Sequence, residues 1–480
     1  MNSVRWLAAA LTVFVAAGCL KVGPDYVSPP LQVPTSWTTG LGRGLTPEAT
    51  AMAQWWKVFG DPVLDSLVEG ALAGNTDLRQ ATARVRQARA ERGAAFGELF
   101  PAVDARTGFS RQRTSQKIGS FNSGDTDPGD DGPSANFSPE RSLYSAGFDA
   151  SWEIDIFGGR RRAVEQAEAE LAGAEADLGN VLVTMLAEVA TNYVDLRSLA
   201  ERIAIAEANV AVQSDTQELA SARYDAGLTG ELELQQATYN LADTRARLPQ
   251  LEVDLAAARH RLAVLTGAPP GALDAMLEAR RPVPVAPASV GVGLPADLLR
   301  RRPDVAAAEQ RLVAATAAVG VAKAEMYPKL SLSGSFGVSA SDAADLLAGD
   351  AMTFDVGPTL RWRILDFGRI RSTVKARTAA VDEALAAYEA TVLAAWEEAE
   401  NAFVAYQQEQ SRRDRLAEGA EAARIAEQLS RTQYESGVVD FQQVLEAQRA
   451  VRGFEDTLAT SSAAVTTRLI ALYKSLGGGW

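Results

Sequence analysis

The sequence has almost none of the side chains on which most catalytic and metal-binding sites depend. Its 480 residues include a single histidine, His260, and a single cysteine, Cys19. A disulfide needs two cysteines, and most metal or nucleophile–base sites need several histidine or cysteine residues. There is no glycine-rich phosphate loop, and His260 lies between two arginines with no evident partner, so we expect it at a surface or in helix packing. An enzyme is the least favoured class, and we expect neither metal nor cofactor.

Positive charge is also in short supply. The chain has 47 Lys and Arg residues against 61 Asp and Glu residues, a net charge of -14. Nucleic-acid binding depends on a basic surface that neutralises phosphates. We therefore exclude nucleic acid as a partner. Hydrophobic residues make up 47% of the chain, which is enough for a large core if they lie on the correct faces.

The apolar run at the N-terminus is too short to cross a membrane. Arg5 precedes the run Trp6–Ala17, which has about 12 residues, whereas a spanning helix needs about 20. A basic start followed by a short apolar stretch and small residues is typical of a secretory signal, here residues 1–18. The letters VAAGC, ending at Cys19, resemble a bacterial lipobox and predict a lipid on Cys19. A plain signal peptide with an incidental cysteine is the alternative.

Much of the sequence consists of an internal repeat, in which segments of the first half match segments of the second half. One set of matches has an offset of 227 positions and a later set has an offset of 210, so the first copy carries an insertion of 17 residues. The insertion contains a polar segment, GSFNSGDTDPGDDGPS, whose composition is typical of a solvent loop. The matched segments are 76–90 with 303–317, Phe100-Pro101 with Tyr327-Pro328, 152–158 with 362–368, and 223–230 with 433–440.

Each copy contains two segments in which apolar and polar residues alternate. A period of two predicts half-buried strands with one apolar face. Each segment is also long enough to cross a bilayer when tilted. Strands of a soluble sandwich are the alternative that alternation leaves open. The predicted strands are about 102–112, 144–156, 329–340 and 353–365.

Each copy also contains very long helix-forming runs. At 1.5 Å per residue, a run of about 67 residues makes a rod of about 100 Å. Such rods cannot bury their apolar stripes alone and must pack as coiled coils. Pro249 is expected to kink one of them. The predicted helices are about 61–99, 160–226 and 231–265 in the first copy, and about 295–326, 369–436 and 441–474 in the second.

These elements give a domain plan and a constraint on assembly. The plan is an extended segment at 19–60, a first repeat at 61–275, a proline-rich linker at 276–293 and a second repeat at 294–480. Four membrane strands are too few to close a barrel, and an open sheet edge in lipid costs several kcal/mol for each unpaired backbone group. We therefore expect several copies of the chain to close one barrel together.

Three stretches resemble a known family. Residues 55–90, 294–334 and 434–450 are similar to the TolC-like outer-membrane efflux channels, in the lipoprotein branch of NodT and OprM. The resemblance covers nearly the whole mature chain. It implies a mainly α fold with a membrane β part: a homotrimer with a 12-stranded outer-membrane barrel, a 12-helix periplasmic tunnel and an equatorial belt.

The resemblance also implies a function and partners. It implies a passive, lipid-anchored channel in the outer membrane of a Gram-negative bacterium. Small molecules such as drugs would reach it from an inner-membrane pump of the RND class through a periplasmic adaptor. The duct of a type I protein secretion system is an alternative within the same fold. A periplasmic adaptor is a third class, but an adaptor has one helical hairpin and this chain has two.

The resemblance assigns roles to the two glycine turns that end the long helices. In the family these turns form the periplasmic tip of the tunnel, which meets the adaptor. A role limited to turning the chain is the alternative. The corresponding residues here are Arg223, Tyr224, Gly227, Leu228, Thr229, Gln433, Gly437, Val438 and Val439.

Residues after the second turn match positions that close the pore in relatives. Gln442, Gln443, Glu446 and Arg449 match the constriction, with glutamine at 443 where relatives have an acidic residue. Glu233 and Tyr434 match a pair that latches neighbouring hairpins, whereas Val439 stands where some relatives have a latching arginine. Solvated helix residues without a gating role are the alternative.

The repeated motif Trp-x-Ile-x-x-Phe-Gly is predicted to join each second strand to a long helix. The tryptophans fall on the apolar register near the end of a strand, where aromatic girdles meet the membrane interface. The glycines then allow the backbone to change from strand to helix. The motif residues are Trp152, Phe157 and Gly158 in the first copy and Trp362, Phe367 and Gly368 in the second.

Overall fold

The computed structural model describes residues 21–30, 36–40, 42, 44–46, 53–113, 115, 140–287, 289–293, 299 and 301–480. The predicted signal peptide, Cys19 and the polar loop 119–134 lie outside these residues. The helices are α1 Pro62–Gly74, α2 Thr76–Gly97, α3 Gly159–Asp225, α4 Glu231–Leu265, α5 Asp274–Leu277, α6 Pro303–Ala324, α7 Arg369–Glu435 and α8 Phe441–Ser475. The strands are β1 Leu45–Thr46, β2 Ala102–Arg113, β3 Glu140–Ile154, β4 Val290–Gly291, β5 Lys329–Ala340 and β6 Met352–Arg361. Short 3-10 helices occupy Trp55–Phe59, Ala343–Leu347 and Gly349–Ala351.

The chain divides into two compact units, each built from both copies of the repeat. The sheet unit takes its described residues from Met1–Val27, Arg89–Glu170 and Val313–Glu383. The helical unit takes its described residues from Ser28–Ala88, Leu171–Leu312 and Ala384–Trp480. The two copies are therefore interleaved in the two units.

The sheet unit contains a four-stranded antiparallel sheet in the order β2-β3-β5-β6. Phe148 pairs with Phe336, which pairs with Phe354, so one row of the sheet carries three phenylalanines. The neighbouring row on the opposite face carries Asp149, Ser335 and Asp355. This is the expected consequence of alternation, because successive side chains of a strand point to opposite faces. The outer edges of the sheet belong to β2 and β6.

The helical unit is held by an aromatic and aliphatic core. Trp55 stacks on Tyr473 of α8, with ring centroids 5.4 Å apart, and Leu186 of α3 is fully buried in the same cluster. Asp61 begins α1, because its carboxylate accepts hydrogen bonds from the backbone N–H groups of the first turn and Pro62 occupies the first helical position. The O–H of Tyr193 donates to the other oxygen of Asp61, at 2.6 Å.

A buried arginine ties together three helices of this unit. Arg302 donates to Asp304 and to Glu398 of α7, at 2.8 and 2.7 Å. It also donates to the backbone oxygen of Ser475 at the end of α8, at 2.5 Å. Burial alone would raise the pKa of Asp304, but the hydrogen bond and charge of Arg302 outweigh it and lower that pKa. Arg302 therefore caps the C-terminal end of α8, and two carboxylates balance its charge.

The bounds of the elements reproduce the repeat. Adding 227 to the bounds of α2 and β2 gives the bounds of α6 and β5, and adding 210 to those of α3 and α4 gives those of α7 and α8. Both long helices have 67 residues and both return helices have 35. The extra residues of the first copy thus fall between β2 and β3.

The structure corrects the predicted helix 61–99, which is two helices, α1 and α2. Asn75 separates them: its side-chain oxygen accepts from the N–H groups of Asp77 and Leu78, and its amide donates to the carbonyl of Leu265. A side chain that caps the backbone in this way favours a new helix start. Pro249 lies inside α4, which continues through it.

The predicted strand 353–365 is also too long, because β6 ends at Arg361. Among the described residues its one partner strand is β5, which begins at Lys329, and Lys329 pairs with Arg361. Trp362 consequently follows the strand and does not belong to it. Its counterpart Trp152 remains in a strand because β5 pairs with β3 as far as Ile154.

Candidate channel tip and strand–helix junctions

The two long helices end in the same hydrogen-bonded turn. In the first hairpin, Gly227 has a φ of 71°, and its N–H donates to the carbonyl of Tyr224 at 2.9 Å. The N–H of Leu228 donates to the carbonyl of Arg223, also at 2.9 Å. This is the Schellman pattern, which places a residue in the left-handed region and therefore favours glycine.

The second hairpin repeats this geometry. Gly437 has a φ of 73°, and its N–H donates to the carbonyl of Tyr434 at 2.9 Å. The N–H of Val438 donates to the carbonyl of Gln433 at 2.8 Å. Leu228 and Val438 are each 70% exposed. Each turn therefore presents one apolar side chain to solvent, at positions where the resemblance predicts adaptor contact.

The other predicted tip residues divide into exposed and packed positions. Tyr224 and Gln433 are exposed, whereas Thr229 and Val439 are partly buried. Val439 packs against the buried cluster at the base of the second turn. The contact of these residues with an adaptor stays a prediction.

The structure brings the two predicted latch residues together. The O–H of Tyr434 donates to Glu233 Oε2 at 2.8 Å, joining the end of α7 to the start of α4. Burial, and then the hydrogen bond to Glu233, raise the pKa of Tyr434 to about 12. Tyr434 is therefore a neutral hydrogen-bond donor at neutral pH. Its role as a latch stays a prediction.

Two further residues hold Tyr434, and the sequence did not single out either contact. The guanidinium of Arg223 lies 4.6 Å from the centre of the Tyr434 ring, within cation–π range. The ring of Phe441 also contacts the ring of Tyr434, with centroids 5.2 Å apart. Arg223 was predicted as an adaptor contact, and in the structure its guanidinium also contacts Tyr434 of the other hairpin. In the sequence, Arg223 could be identified only by its position directly before Tyr224 in the repeated turn.

The predicted constriction residues lie along the first turns of α8. Gln442, Gln443 and Glu446 are exposed, and Gln442 Nε2 donates to Glu446 Oε1 at 3.4 Å. Arg449 points instead to α4, where it donates to the Tyr239 hydroxyl at 2.7 Å. The exposed set is available to line a pore. The side chain of Arg449 instead binds α4 of the same chain.

The strand–helix junctions contain an equivalent tryptophan contact in both copies. The indole N–H of Trp152 donates to the carbonyl of Leu99 at 2.9 Å. The indole N–H of Trp362 donates to the carbonyl of Met326, the equivalent of Leu99, at 3.2 Å. The two contacts fix each junction to the loop before the first strand of its own copy.

The backbone at both junctions turns through the left-handed region. Gly158 and Gly368 have φ values of 76° and 86°, and Phe367 has a φ of 52°. Phe157 stacks on Tyr327 with centroids 4.6 Å apart. Its counterpart Phe367 is 93% exposed. The junctions thus share a backbone path but differ in what covers them.

An N-terminal segment, Lys21–Asp25, covers only the first junction. The N–H of Val22 donates to the carbonyl of Phe157 at 3.1 Å. Arg162 is almost fully buried; it donates to the carbonyl of Val22 at 3.1 Å and to Asp25 Oδ1 at 2.8 Å. Arginines follow this glycine in the sequence, but the role of Arg162 in holding the segment Lys21–Asp25 was not predicted.

The chain's single histidine lies at the surface. His260 is exposed on α4. Within the described ranges, no three His, Cys, Asp or Glu side chains come together in an arrangement that could hold a metal ion. One described helix, α6, is long and apolar enough to cross a membrane, but 56% of its apolar window is buried within the protein.

Comparisons with known proteins give the same picture over the whole chain. Residues 67–268 and 294–478 match the family model described as outer membrane efflux protein. The chain is 34% identical over 471 residues to the pyoverdine export outer membrane protein OpmQ of Pseudomonas aeruginosa, covering 97% of this chain and 96% of OpmQ. It is 29% identical over 464 residues to nodulation protein T of Rhizobium leguminosarum bv. trifolii, covering 97% and 95%.

A solved structure shows the same fold. The outer-membrane channel OprN aligns with a TM-score of 0.87 and 36% identity, over 96% of this chain and 99% of OprN. The TolC-like fold and the family resemblance of the sequence motifs are thereby confirmed. With two efflux-protein repeats matched in order, the chain belongs to the outer membrane efflux protein family, whose members are transport proteins.

Proposed function

We propose that three copies of this chain form the outer-membrane channel of a tripartite efflux system. Each chain supplies four strands to a 12-stranded barrel, and its two helical hairpins supply the periplasmic tunnel. The observation that carries the proposal is the pair of equal hairpins, each continuous with one strand of the four-stranded sheet. A sheet with two open edges needs other copies before it can lie in lipid.

The channel conducts small molecules passively, because nothing in its chemistry supplies energy. An inner-membrane pump of the RND class delivers them through a periplasmic adaptor. The relative OpmQ is described as a pyoverdine export protein, which supports small organic molecules as the exported class. Protein export by a type I system has no comparable support.

A lipid on Cys19 anchors the chain to the outer membrane. Support comes from the lipobox-like letters and from the segment Lys21–Asp25, which begins two residues later and is fixed at the first junction by Arg162. Metabolic labelling with radioactive palmitate tests this: we expect label in the natural chain and none in Cys19→Ser. Equal labelling of both would contradict lipidation at Cys19.

Photo-crosslinking at the tips tests the partners. A photoreactive amino acid replaces Leu228 or Val438, whose side chains are exposed and which take part in the turn only through their backbone N–H groups. We expect covalent products with a periplasmic adaptor, and co-purification of an RND pump. The control site is Leu347, which is 95% exposed in the connection between β5 and β6 and should not yield the adaptor.

Export in living cells completes the test. The chain and the captured adaptor and pump are expressed in a strain that lacks its own outer-membrane efflux channels. We expect lower accumulation of a fluorescent pump substrate than in cells without the chain. Capture of a protein-exporting ATPase assembly, or accumulation that does not change, would contradict the proposed function.

A further inference from the structure

In the second copy of the repeat, a buried guanidinium lies between three helices. Arg302 donates through Nε and Nη2 to the two carboxylate oxygens of Asp304, at 3.1 and 2.8 Å. It also donates to Glu398 of α7 and to the carbonyl of Ser475 at the end of α8. A guanidinium suits these acceptors because its planar fork presents several N–H donors in fixed directions. Two carboxylates and one helix-end carbonyl thus define a guanidinium site.

The first copy has the same three acceptors but no arginine among them. The equivalent pairs, by the offsets of 227 and 210, are Asn75 with Arg302, Asp77 with Asp304, Glu188 with Glu398 and Leu265 with Ser475. Asn75 donates to the carbonyl of Leu265 at 2.8 Å, as Arg302 does to that of Ser475, so the positions are equivalent in structure as well. The side chain of Asn75 is shorter than that of arginine and carries no charge.

A cleft of about 320 Å³ lies beside Asn75, between α2, α3 and the end of α4. Asp77, Glu188 and Leu265 all line it. This volume has room for about ten water molecules or for a small organic cation. The carbonyl of Leu265 can accept a second hydrogen bond, because a carbonyl oxygen has two lone pairs. The acceptors that hold Arg302 in the second copy therefore have equivalents around an open cleft in the first.

The other polar residues of the cleft also distinguish the two copies. Gln80 of α2 and Asn180 and Thr184 of α3 line it. Their equivalents in the second copy are Ala307, Ala390 and Ala394. Three alanines suit close packing between helices, whereas amide and hydroxyl groups can bind a polar molecule. The first copy thus has hydrogen-bonding groups where the second copy has methyl groups.

The cations near the cleft replace the missing guanidinium only in part. Arg261 of α4 donates to Glu188 Oε2 at 2.8 Å, but both side chains are about half exposed, and such pairs contribute little. Within the described residues, the Asp77 carboxylate accepts only a 3.4 Å bond from Gln80. Arg84 lines the cleft about 10 Å further along α2 by helix rise. The end of the cleft at Asp77 is therefore acidic.

We propose that this cleft binds a small organic cation that carries a guanidinium group, in the place that Arg302 takes in the second copy. The guanidinium donates to Asp77, to Glu188 and to the carbonyl of Leu265. Polar substituents of the ligand contact the amide and hydroxyl groups further along the cleft. The site lies within the helical unit of one chain, and the inference does not depend on the proposed channel function.

Calorimetric titration of the purified full chain tests the site. The probe is n-propylguanidinium, which has the shape and charge of an arginine side chain. The control ligand is n-propylurea, which has nearly the same shape and no charge. We expect propylguanidinium to bind with a Kd of about 1 mM or lower and propylurea not to bind. Equal binding of the two ligands, or no binding of either, would overturn the inference.

Variants assign the binding to the cleft. Asp77→Asn and Glu188→Gln should each weaken binding by about tenfold or more; Asp77 is exposed, so its change should leave the fold intact. Asn75→Arg supplies a guanidinium from the chain itself and should abolish binding. Glu398→Gln is the control, because Arg302 already holds that carboxylate, and it should leave binding unchanged. Binding that persists in Asp77→Asn or in Asn75→Arg would place the probe elsewhere and contradict the proposed site.

Discussion

At the scale of single residues, the repeat shows where the two hairpins have diverged. Tyr434 and Tyr224 occupy the same position in equivalent turns, yet Tyr434 is buried and Tyr224 is exposed. The partner of Tyr434 is Glu233, and the position equivalent to Glu233 in the second copy is Gln443. The hydrogen bond from Tyr434 to a carboxylate therefore has no charged equivalent, because the corresponding residues are Tyr224 and Gln443.

We predict that Tyr434→Phe weakens the tip without unfolding it. The ring contacts with Arg223 and Phe441 remain, but the hydrogen bond to the Glu233 carboxylate is lost, at a cost of about 1–2 kcal/mol. In planar bilayers we expect a higher open probability or conductance than for the natural channel. Tyr224→Phe, at the equivalent exposed position, is the control and should leave conductance unchanged.

The same pair has a defined pH dependence. The pKa of Tyr434 is raised to about 12 from about 10 in the unfolded chain, so its contribution to stability is complete below about pH 10. It is lost as the pH rises through about 12. Conductance should therefore not respond to Tyr434 between pH 5 and pH 9. A response in that range that Tyr434→Phe removes would contradict the assignment of the proton to the tyrosine.

A second residue-scale prediction concerns Glu446. Three copies of this exposed carboxylate near one axis would attract cations and repel one another. We expect Glu446→Ala to weaken block by divalent cations and to change single-channel conductance. The equivalent residue of the first hairpin is Gln236, and Gln236→Ala is the neutral control. Unchanged conductance and block for Glu446→Ala would remove this residue from the gate.

The sequence predicted the positions of these residues better than their partners. The glycines of the turns could be identified because a left-handed residue after a long helix needs glycine. The contacts of Arg223 with Tyr434 and of Arg449 with Tyr239 could not, since each joins residues about 210 positions apart. Such contacts depend on how the hairpins pack, and no local pattern contains that information.

At the scale of elements, the two strand–helix junctions allow a matched comparison. Gly158 and Gly368 both need a positive φ, which costs an L-residue about 1–2 kcal/mol. A Cβ at Gly158 would also lie 2.9 Å from the Cα of Lys21, whereas a Cβ at Gly368 meets open space in the single chain. The difference between the two sites therefore measures the packing of the N-terminal segment.

We predict that Gly158→Ala destabilises the protein more than Gly368→Ala does. Gly368→Ala should cost about 1 kcal/mol from the backbone alone, and Gly158→Ala about 2–3 kcal/mol, because the segment Lys21–Asp25 must also move. The temperature at which oligomers dissociate on a denaturing gel provides the measurement. Equal shifts would show that the segment does not hold the first junction.

Another element-scale prediction concerns the arginine at the start of α6. Arg302→Met leaves Asp304 and Glu398 without their shared cation, which should cost about 2–3 kcal/mol because Arg302 is buried. Arg311→Met is the control: its pair with Asp177 is exposed, and its loss should cost about 0.5 kcal/mol. Thermal dissociation of the oligomer measures both.

Acid provides a second readout for this cluster. Because the folded pKa of Asp304 is lowered, its stabilising effect is present above the unfolded pKa and is lost as the pH falls through the folded value. The natural protein should therefore lose more stability than Arg302→Met on acidification below about pH 4. Parallel losses in the two proteins would contradict a role for this carboxylate.

Element types were predictable and element ends were less so. The alternation in Leu330–Val338 and the proline-free run after Arg369 define a strand and a helix by period alone. The break at Asn75 was missed because its amide is fixed by the distant carbonyl of Leu265. The end of β6 was missed because a strand ends where its partner ends, which the strand's own residues do not encode.

At the scale of the whole molecule, the two copies are interleaved, and each compact unit contains residues of both. The family match nevertheless divides the chain into two consecutive segments. The repeat was readable from the sequence because its spacing is regular. The interleaving was not, because it depends on which surfaces of the two copies meet.

The long helices α3 and α7 have the same length, and so do the return helices α4 and α8. These equal lengths restrict how the chain can change in evolution. The connection between β2 and β3 can change in length without a matching change in the second copy, as the 17-residue difference shows. A deletion within α3 must be matched by one in α4 if the hairpin is to keep its register. Matching deletions in α7 and α8 are then needed if the two hairpins are to keep the same length. The depth of the tunnel therefore depends on four separate stretches of the gene. It can change in evolution only when all four change in length together.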